Sequence, residues 1–550
     1  MQRLAWHPAT GRLFNLMDNP PGISKWLKLD ARAFAVLLLL LFVLRGVQMQ
    51  CLYPPLEGYD EYQHIAYLVF LNENHHPPVY GQDVVPPSLY PDLVANPHCD
   101  YDYQQTKRIG ARSYTDFYDQ PAAQPGNAAI KLYQAQHPPL YYELVAPVFG
   151  WWRRTFGFRS AVYFIRLLNV LFAGLAMLLL LTPLRAAFRE ESLRRMVALA
   201  ISLSPAFLAC ISRVANDPLA MLFGGVAIWL LTRWQTSLSP IVNATLVGVM
   251  LGLGTLTKLT TMGLLPAALL FPLCLAWCSK VNWRVASLSV AVILGAFLTV
   301  VLPHVLDYLQ NFGTPFLSQE TVINSRKGVS PVDWLQTIRL EHANFFYGRL
   351  LKGSLWLDGW SFLHPNKIFI HIYLGILVVA FGGLVVGVMG RWKKPSRHFG
   401  IPPETIALPA LIISFTLVAV YFHALNTILA YGVIATPAHY VAVGYPAFFI
   451  CAFAAASGYG RGAVAGLATA LALVFLATEY HSLLRVGAPF WAHSHDFAEM
   501  FRRLGTIHPA LLSPWYFFPS AAAVILLTTL LTRSNWRLFN QETNRSGKFD

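Results

Sequence analysis

Two adjacent carboxylates directly after the first long apolar segment are the residues best suited to acid–base chemistry. Asp60 and Glu61 stand together, and His64 follows Asp60 by four residues, so that Asp60 and His64 can share one helix face. A carboxylate in this position could take a proton from an attacking hydroxyl group as a general base. The alternative is that both acids are solvated caps at the start of an outside helix. The choice between Asp60 and Glu61 as the base stays open.

The surroundings of this acidic pair favour the catalytic interpretation. From Cys51 through Thr106 the chain has eight acidic residues and no Lys or Arg, although the whole chain has 41 basic and 27 acidic residues. The pair also lies within about a turn of an apolar segment and beside a long loop rich in tyrosine. A local excess of acid in a basic chain indicates a specialised region.

Charged residues within or beside later apolar segments are candidates for holding a substrate phosphate. Arg213, Asn216 and Asp217 stand at a short turn, and Lys258 stands at the end of another apolar segment. An ion within a bilayer normally faces the bundle interior or a cavity. We predict that Asp217 assists or orients the base, and that Lys258 and Arg213 hold a phosphate leaving group. For Arg166, the alternative is a side chain that reaches out to the membrane interface.

Aromatic and histidine side chains add further candidates. Trp360 could stack on a sugar ring, although anchoring at the membrane interface is the alternative for this tryptophan. The histidines His75, His76, His98 and His137 do not form a metal-binding spacing. No metal ligand is therefore assigned.

The composition predicts an all-α polytopic membrane protein. The chain has 550 residues, of which 55% are hydrophobic and 12% charged, and its mean hydropathy is +0.46. A soluble domain would have roughly a quarter of its residues charged. Apolar windows of about twenty residues predict about twelve spans, centred near residues 42, 172, 205, 224, 249, 270, 295, 379, 416, 447, 470 and 525.

The basic residues, which give a net charge of +14, cluster at the ends of the apolar segments. Such clusters mark cytoplasmic loops, so the charge indicates topology and not a nucleic-acid partner. We predict cytoplasmic segments 1–32 and 536–550 around a single transmembrane domain, 33–535. Its extracytoplasmic loops span 51–160, 307–367 and 480–518, and the first and largest contains short juxtamembrane helices. Cys51 and Cys99 both fall in that loop, and their pairing as a disulfide stays open.

Several short motifs resemble the GT-C superfamily of membrane glycosyltransferases, which includes the protein O-mannosyltransferases and the aminoarabinose transferase of lipid A. Gln136-His-Pro-Pro-Leu-Tyr-Tyr142 is similar to an element late in the first loop of those families. Asn216-Asp-Pro-Leu-Ala220 and Leu256-Thr-Lys258 also look like their recurrent elements. A closer resemblance is to uncharacterised bacterial multi-span proteins with Pro-x-Asp-Glu-x-x-His after the first span, although Gly58 replaces the proline in this chain.

The resemblance implies a GT-C-like fold and transfer of a sugar from a polyprenyl-phosphate donor to a hydroxyl acceptor, with inversion at the sugar carbon. Some members need a divalent metal, Mg²⁺ or Mn²⁺, and others do not, so the cofactor is left unknown. Pro437-Ala-His-Tyr440 departs from a Gly-Arg-Tyr element of the closer group, which puts a phosphate-binding arginine there in doubt. We assign Asp60, Glu61 and Asp217 to catalysis. Substrate binding is assigned to His64, His137, Tyr141, Arg213, Asn216, Lys258 and Trp360.

The expected location is the outer face of a bacterial inner membrane, with both termini in the cytoplasm. The expected partners are the lipid-linked sugar donor, a hydroxyl acceptor and the bilayer. Two other classes stay open. A transporter or flippase of a lipid-linked or anionic solute would suit twelve spans and buried ions equally well, and a polymerase or ligase of surface glycans would also use lipid-linked sugars.

Overall fold

A computed structural model describes residues 29–58, 60–96, 130–205, 207, 213–234, 239–355, 365–393, 403–434, 438–492 and 494–546. In these ranges the chain is helical apart from loops and one isolated antiparallel bridge between Val84 and Lys131. Trp360 and Cys99, both singled out in the sequence, lie outside the described residues. Cys51 is fully buried.

The first half of the described chain forms helices α1 to α11. They are α1 (Ala31–Gln50), α2 (Glu61–Asn74), α3 (Tyr90–Ala95), α4 (Leu140–Phe156), α5 (Phe158–Leu180), α6 (Leu184–Ala187), α7 (Glu191–Ser202), α8 (Asp217–Thr232), α9 (Pro240–Thr257), α10 (Leu265–Trp277) and α11 (Trp283–Phe312).

The second half forms helices α12 to α21. They are α12 (Gln319–Arg326), α13 (Pro331–Thr337), α14 (Leu340–Gly353), α15 (Lys367–Lys393), α16 (Pro403–Tyr431), α17 (Tyr445–Ala456), α18 (Arg461–His481), α19 (Ala488–Ala492), α20 (Phe497–Ile507) and α21 (Phe517–Ser546).

Ten helical segments in the described residues are long and apolar enough to cross a membrane, which confirms the predicted all-α, multi-span architecture. They are Ala31–Gln50, Phe158–Ala187, Pro240–Thr257, Leu259–Trp277, Trp283–Phe312, Lys367–Met389, Thr405–Tyr431, His439–Tyr459, Arg461–Ala492 and Ala510–Arg545. Of the other two predicted spans, the one near residue 224 corresponds to the shorter helix α8, and the one near residue 205 is centred beyond the end of α7 at Ser202. The count of twelve therefore stays a prediction, and the chain is an integral, multi-pass membrane protein.

Two hydrophobic cores organise the helices. The larger core runs through the membrane bundle, in which α8 packs against α5 and α9, α9 packs along α11, and α1 packs against α21. The smaller core joins α2, α4 and the start of α5, and buries Tyr62, Tyr67 and Phe149. Because α2 belongs to this second core, the acidic turn before it is attached to the end of the bundle.

A buried ion pair crosses the bundle and accounts for Arg45, the arginine in the apolar part of α1. The Arg45 guanidinium contacts Glu479 Oε2 of α18 from Nε at 3.0 Å and from Nη2 at 2.5 Å. It also donates to the carbonyl oxygens of Ser202 and Leu203 after α7, at 2.5 and 2.8 Å. Both ionic side chains are 0 to 1% exposed. A charge inside a bundle is normally paired in this way, so this contact holds three helices in register.

Surface helices lie outside the bundle in both large loops. In α4 the exposed side chains of Leu144, Val148 and Trp151 recur at helical spacing, which is typical of a helix at a membrane surface. The second loop contains two such helices, α13 and α14, which are separate because Ile338 is extended between them. A capping box of Ser330 and Asp333 starts α13.

Candidate active site

The site begins at a tight turn that separates the two adjacent carboxylates. Asp60 has a left-handed backbone, with φ 57° and ψ 12°, and α2 begins at Glu61. Aspartate is one of the few residues that adopts this conformation at a modest cost. The turn gives the neighbours different environments, because Asp60 is partly exposed whereas Glu61 is fully buried.

Glu61 is held on all sides by the protein. Its carboxylate accepts from Arg166 Nε at 2.8 Å and from Nη2 at 2.5 Å, and from the Val214 amide at 2.6 Å. The Gly58 amide lies 3.3 Å from Oε2. Arg166 also donates to the carbonyl oxygens of Tyr53 and Pro54, at 3.0 and 2.7 Å, so its side chain points inward and not to the interface. Such a carboxylate connects the turn to α5.

Close packing at position 58 explains why this chain has a glycine where the resembling motif has a proline. A Cβ at position 58 would lie 2.2 Å from the Cβ of Arg213 and 3.1 Å from the Cβ of Glu61. The segment before α8 therefore packs directly on the backbone of the acidic turn. A glycine is required for this close approach.

Asp60 has a different partner, Tyr133, whose hydroxyl donates to Oδ1 at 2.5 Å. Gln63 brings this tyrosine into place, because its amide accepts from the Tyr133 N–H at 3.0 Å and donates to the Lys131 carbonyl at 3.1 Å. The segment just before the His-Pro-Pro element is thereby fastened to the first turn of α2. Tyr133 was not among the residues predicted for the site.

Three charged residues form a buried cluster next to this turn, which we call the charged triad: Arg213, Asp217 and Lys258. Arg213 Nη2 lies 3.1 Å from Asp217 Oδ2, and Lys258 Nζ lies 2.6 Å from Asp217 Oδ1. The three side chains are 4 to 5% exposed. Asn216 donates to the Thr257 carbonyl at 2.9 Å, which fastens the start of α8 to the end of α9.

A helix break places Lys258 in the triad. Helix α9 ends at Thr257, Lys258 is extended with φ −156° and ψ 129°, and a short 3₁₀ turn, Leu259–Leu264, leads into α10. The ammonium group lies 5.0 Å from the ring centre of Tyr440, a cation–π contact. Tyr440 and His439 line one small cavity together with Asp217 and Lys258. The two residues at the end of the element that departs from the Gly-Arg-Tyr pattern, His439 and Tyr440, are thus part of the site.

Tyr133 and the charged triad all act on the carboxyl group of Asp60, so they belong to one site. Burial raises the pKa of Asp60 above its ordinary value. The hydrogen bond from Tyr133 and the positive charges of Arg213 and Lys258 oppose this rise, and the negative charge of Asp217 adds to it. A carboxyl group with a raised pKa is a stronger base than an ordinary aspartate while it still ionises.

The histidines near the turn have lowered pKa values. Burial lowers the pKa of His64 well below its ordinary value, and burial lowers that of His137 to about 3, with Lys258 adding to the effect. His64 Nδ1 lies 2.7 Å from the Tyr142 hydroxyl, and its ring stacks on that of His137 with 6.1 Å between the centres. The side chain of His64 therefore contacts Tyr142 and His137, whereas Asp60, with its left-handed backbone, precedes the helix that carries His64.

Tyr141 is buried and connects structural elements. Its hydroxyl donates to Asn169 Oδ1 at 3.3 Å, and Asn169 donates to the carbonyl oxygens of Arg213 and Ala215 at 2.9 and 3.2 Å. Tyr141 therefore supports, through Asn169, the backbone that carries Arg213, and its predicted contact with a substrate stays a prediction. The predicted site residues Asp60, Glu61, His64, His137, Tyr141, Arg213, Asn216, Asp217 and Lys258 all lie in this one region.

Part of the second loop is attached to the first loop beside the site. The Gln319 amide at the start of α12 donates to Gln136 Oε1 at 2.7 Å, which links the two large loops. Tyr431 at the end of α16 donates to Gln319 Oε1 at 3.2 Å, and Lys327 donates to the Ala430 carbonyl at 2.7 Å. These contacts hold α12 between the end of α16 and the segment that precedes His137.

The carboxylates of the site do not form a set of ligands for a divalent metal. Such ions prefer several carboxylate oxygens. Both oxygens of Glu61 contact Arg166, and those of Asp217 contact Arg213 and Lys258. No group of three metal-ligating side chains occurs among the residues that the structure describes. We therefore derive no step through a metal.

Comparison with known proteins adds little beyond the fold. No family model and no curated protein matches the chain. Solved structures of an oligosaccharyltransferase from Archaeoglobus fulgidus are similar in shape. The apo form is 14% identical over 90% of this chain and 56% of that chain, with a TM-score of 0.41. The form tethered to an acceptor peptide is 13% identical over 93% and 56%, with a TM-score of 0.43.

A third structure of the Archaeoglobus fulgidus enzyme, in complex with an inhibitory peptide and a dolichol-phosphate, is 14% identical over 92% of this chain and 56% of that chain, with a TM-score of 0.40. The chain thus spans about half the length of these structures. TM-scores below 0.5 carry no argument about function. The fold and the charged residues thus define a multi-pass membrane protein with a buried ionic site at one end of its helix bundle.

Proposed function

We propose that the protein is a membrane glycosyltransferase of the GT-C type, which moves a sugar from a polyprenyl-phosphate donor to a hydroxyl acceptor. One observation carries the proposal: a partly exposed carboxylate with a raised pKa, Asp60, lies in the electrostatic field of Arg213 and Lys258. A base beside two cations is the arrangement needed to activate a hydroxyl and to hold a departing phosphate. The motifs that resemble the GT-C families contribute residues to the same region.

In the proposed reaction the acceptor hydroxyl attacks the anomeric carbon of the sugar. Asp60 takes the hydroxyl proton as the new carbon–oxygen bond forms, and the bond from the sugar to the phosphate breaks. The phosphate leaves with the electron pair, so a single displacement inverts the sugar carbon. Tyr133 holds the carboxylate in position during this step, because its hydroxyl donates to Oδ1.

The charged triad provides the site for the leaving group. Asp217 fixes Arg213 and Lys258 from opposite oxygens, so two cations and one anion leave a net charge of about +1. That excess favours a phosphate, and guanidinium and ammonium groups both donate to phosphate oxygens. Asp217 therefore acts as a positioning residue in this proposal. Its carboxylate is occupied by cations and is unsuited to accept the acceptor proton.

The direction of the site in the membrane follows from the charge pattern of the sequence. We place the turn at Asp60 on the extracytoplasmic face of a bacterial inner membrane, with both termini in the cytoplasm. The acceptor is then a hydroxyl of an envelope glycan, lipid or protein. In this proposal α12 and the end of α16 cover the site and exclude water, which competes with the acceptor for the donor.

Transfer from a polyprenyl-phosphate sugar in proteoliposomes tests the proposal. Asp60→Asn keeps an oxygen for Tyr133 but removes the base, so kcat should fall about 10² to 10⁴-fold. The wild-type rate should fall at low pH with a midpoint above about 3.9, the ordinary aspartate value, because the base must be ionised and its pKa is raised.

A matched control is Glu73→Gln, which removes an exposed carboxylate from the same helix and should leave turnover unchanged. Full turnover in a folded Asp60→Asn variant would show that Asp60 is not the base. A transporter makes a different prediction for this site. Cysteines placed at positions 217 and 258 would be labelled from both sides of the membrane in a transporter, and from one side only in a transferase.

A further inference from the structure

A second cavity lies at the other end of the bundle from the candidate active site. Its volume is about 350 Å³, and its walls come from α6 with the turn before it, the end of α8, and helices α10 and α16. Arg185 and Arg233 stand in this wall, and both are exposed. No step of the proposed transfer reaction uses these residues.

Helix geometry separates this cavity from the triad. Asp217 and Arg233 are 16 residues apart, at the beginning of α8 and just after its end. A rise of 1.5 Å per residue puts them about 24 Å apart along the helix axis. Helix α5 repeats this arrangement: Arg166 contacts Glu61 from within α5, and Thr182 of the cavity wall lies 16 residues later, just after the end of α5. The cavity therefore belongs to the opposite membrane face.

The lining has two chemically different parts. Two arginines and the hydroxyls of threonines line the polar part; Thr232 donates to the Trp229 carbonyl at 2.7 Å and contacts the Thr182 hydroxyl at 3.4 Å. Trp229 and Phe271 contribute apolar surface, and the guanidinium of Arg233 lies 4.9 Å from the ring centre of Trp229. A guanidinium braced by an aromatic ring is well suited to a phosphodiester.

We propose that this cavity binds the headgroup of an anionic phospholipid, with its phosphate between Arg185 and Arg233. Basic pockets between membrane helices bind anionic headgroups. The apolar part of the wall, which includes Phe271 and Leu408, favours a lipid over a free phosphate ion, because acyl chains can continue along it into the bilayer. A bound lipid would connect α16 to α6 and α8.

Thermal unfolding of the full chain in detergent tests this site, with phosphatidylglycerol as the probe. The lipid should raise the unfolding temperature, whereas phosphatidylcholine and inorganic phosphate should not. The variants Arg185→Gln and Arg233→Gln should each raise the half-saturating lipid concentration about fivefold, because each loses one basic residue that attracts the anionic headgroup. Arg189→Gln removes an exposed arginine outside the cavity wall and should keep the wild-type response.

Ala186→Trp fills the cavity while both arginines remain, and should also abolish the effect of phosphatidylglycerol. This variant keeps the test decisive where an arginine variant fails to fold. Equal stabilisation by phosphatidylcholine or by inorganic phosphate would overturn the proposal. An unchanged lipid response in both the Arg185→Gln and Arg233→Gln variants would overturn it as well.

Discussion

Replacing Glu61 by glutamine separates the roles of the two adjacent acids. The substitution leaves Arg166 charged and fully buried, without the carboxylate that contacts two of its nitrogens. Removal of one partner of a buried ion pair costs about 3 to 5 kcal/mol, because the remaining charge is uncompensated. We therefore expect Glu61→Gln to lower the free energy of unfolding by about that amount, with lower yield and a lower unfolding temperature.

The matched double variant Glu61→Gln with Arg166→Met removes both charges. It should recover part of the lost stability, since replacing a whole buried ion pair by apolar groups is often nearly neutral. Unfolding in detergent measures the stability of each variant, and turnover across pH measures the chemistry. The acidic limb of the rate, which is the fall in turnover at low pH, should keep its wild-type midpoint, because Asp60 is the proposed base.

Two results would refute this reasoning about Glu61. One is a Glu61→Gln variant as stable as the wild type that has no turnover at any pH. The other is an Asp60→Asn variant that retains turnover when it is prepared and assayed in the same way. Together they would assign the base to Glu61 and reduce Asp60 to a turn residue.

Three further predictions concern the neighbours of the site and the bundle. Tyr133→Phe removes the hydrogen bond that opposes the raised pKa of Asp60, so that pKa should rise further and the acidic limb of the rate should move to higher pH. Arg45→Leu leaves Glu479 buried without its partner and should cost about 3 to 5 kcal/mol of stability, as measured by unfolding in detergent. Gly58→Ala places a methyl group 2.2 Å from the Cβ of Arg213, so that arginine must move and turnover should fall.

Each of these predictions has a control and a contradicting outcome. Gly295→Ala is the control for Gly58→Ala, because a Cβ at position 295 would have open space in α11. Equal turnover in both glycine variants would contradict the close packing at Gly58. An acidic limb unmoved in Tyr133→Phe would mean that this hydroxyl does not act on the base. Restored stability in a double variant with Glu479→Leu would support the ion-pair account of Arg45→Leu.

Much of the architecture could be predicted because membrane spans are a local property of the chain. Ten predicted centres coincide with long apolar helices. Length and composition over about twenty residues decide whether a segment can cross a bilayer. Helix α8, at the centre predicted near residue 224, is shorter than that length.

The sequence also grouped residues that the structure brings together. It predicted the acidic pair and the residues of the charged triad for one site, and these side chains lie close to one another near α2. Their partners could not be predicted. Tyr133 lies 73 residues from Asp60, and Val214 lies 153 residues from Glu61, with no periodicity that relates them.

The amino-acid sequence by itself determined that this is a multi-span membrane protein with an acidic turn after its first span. Those properties follow from composition and from the order of apolar and charged segments. Only the tertiary structure decided that Asp60 faces the site while Glu61 is buried against Arg166. Adjacent carboxylates are equivalent in sequence. A left-handed residue and a guanidinium 105 residues away make them different.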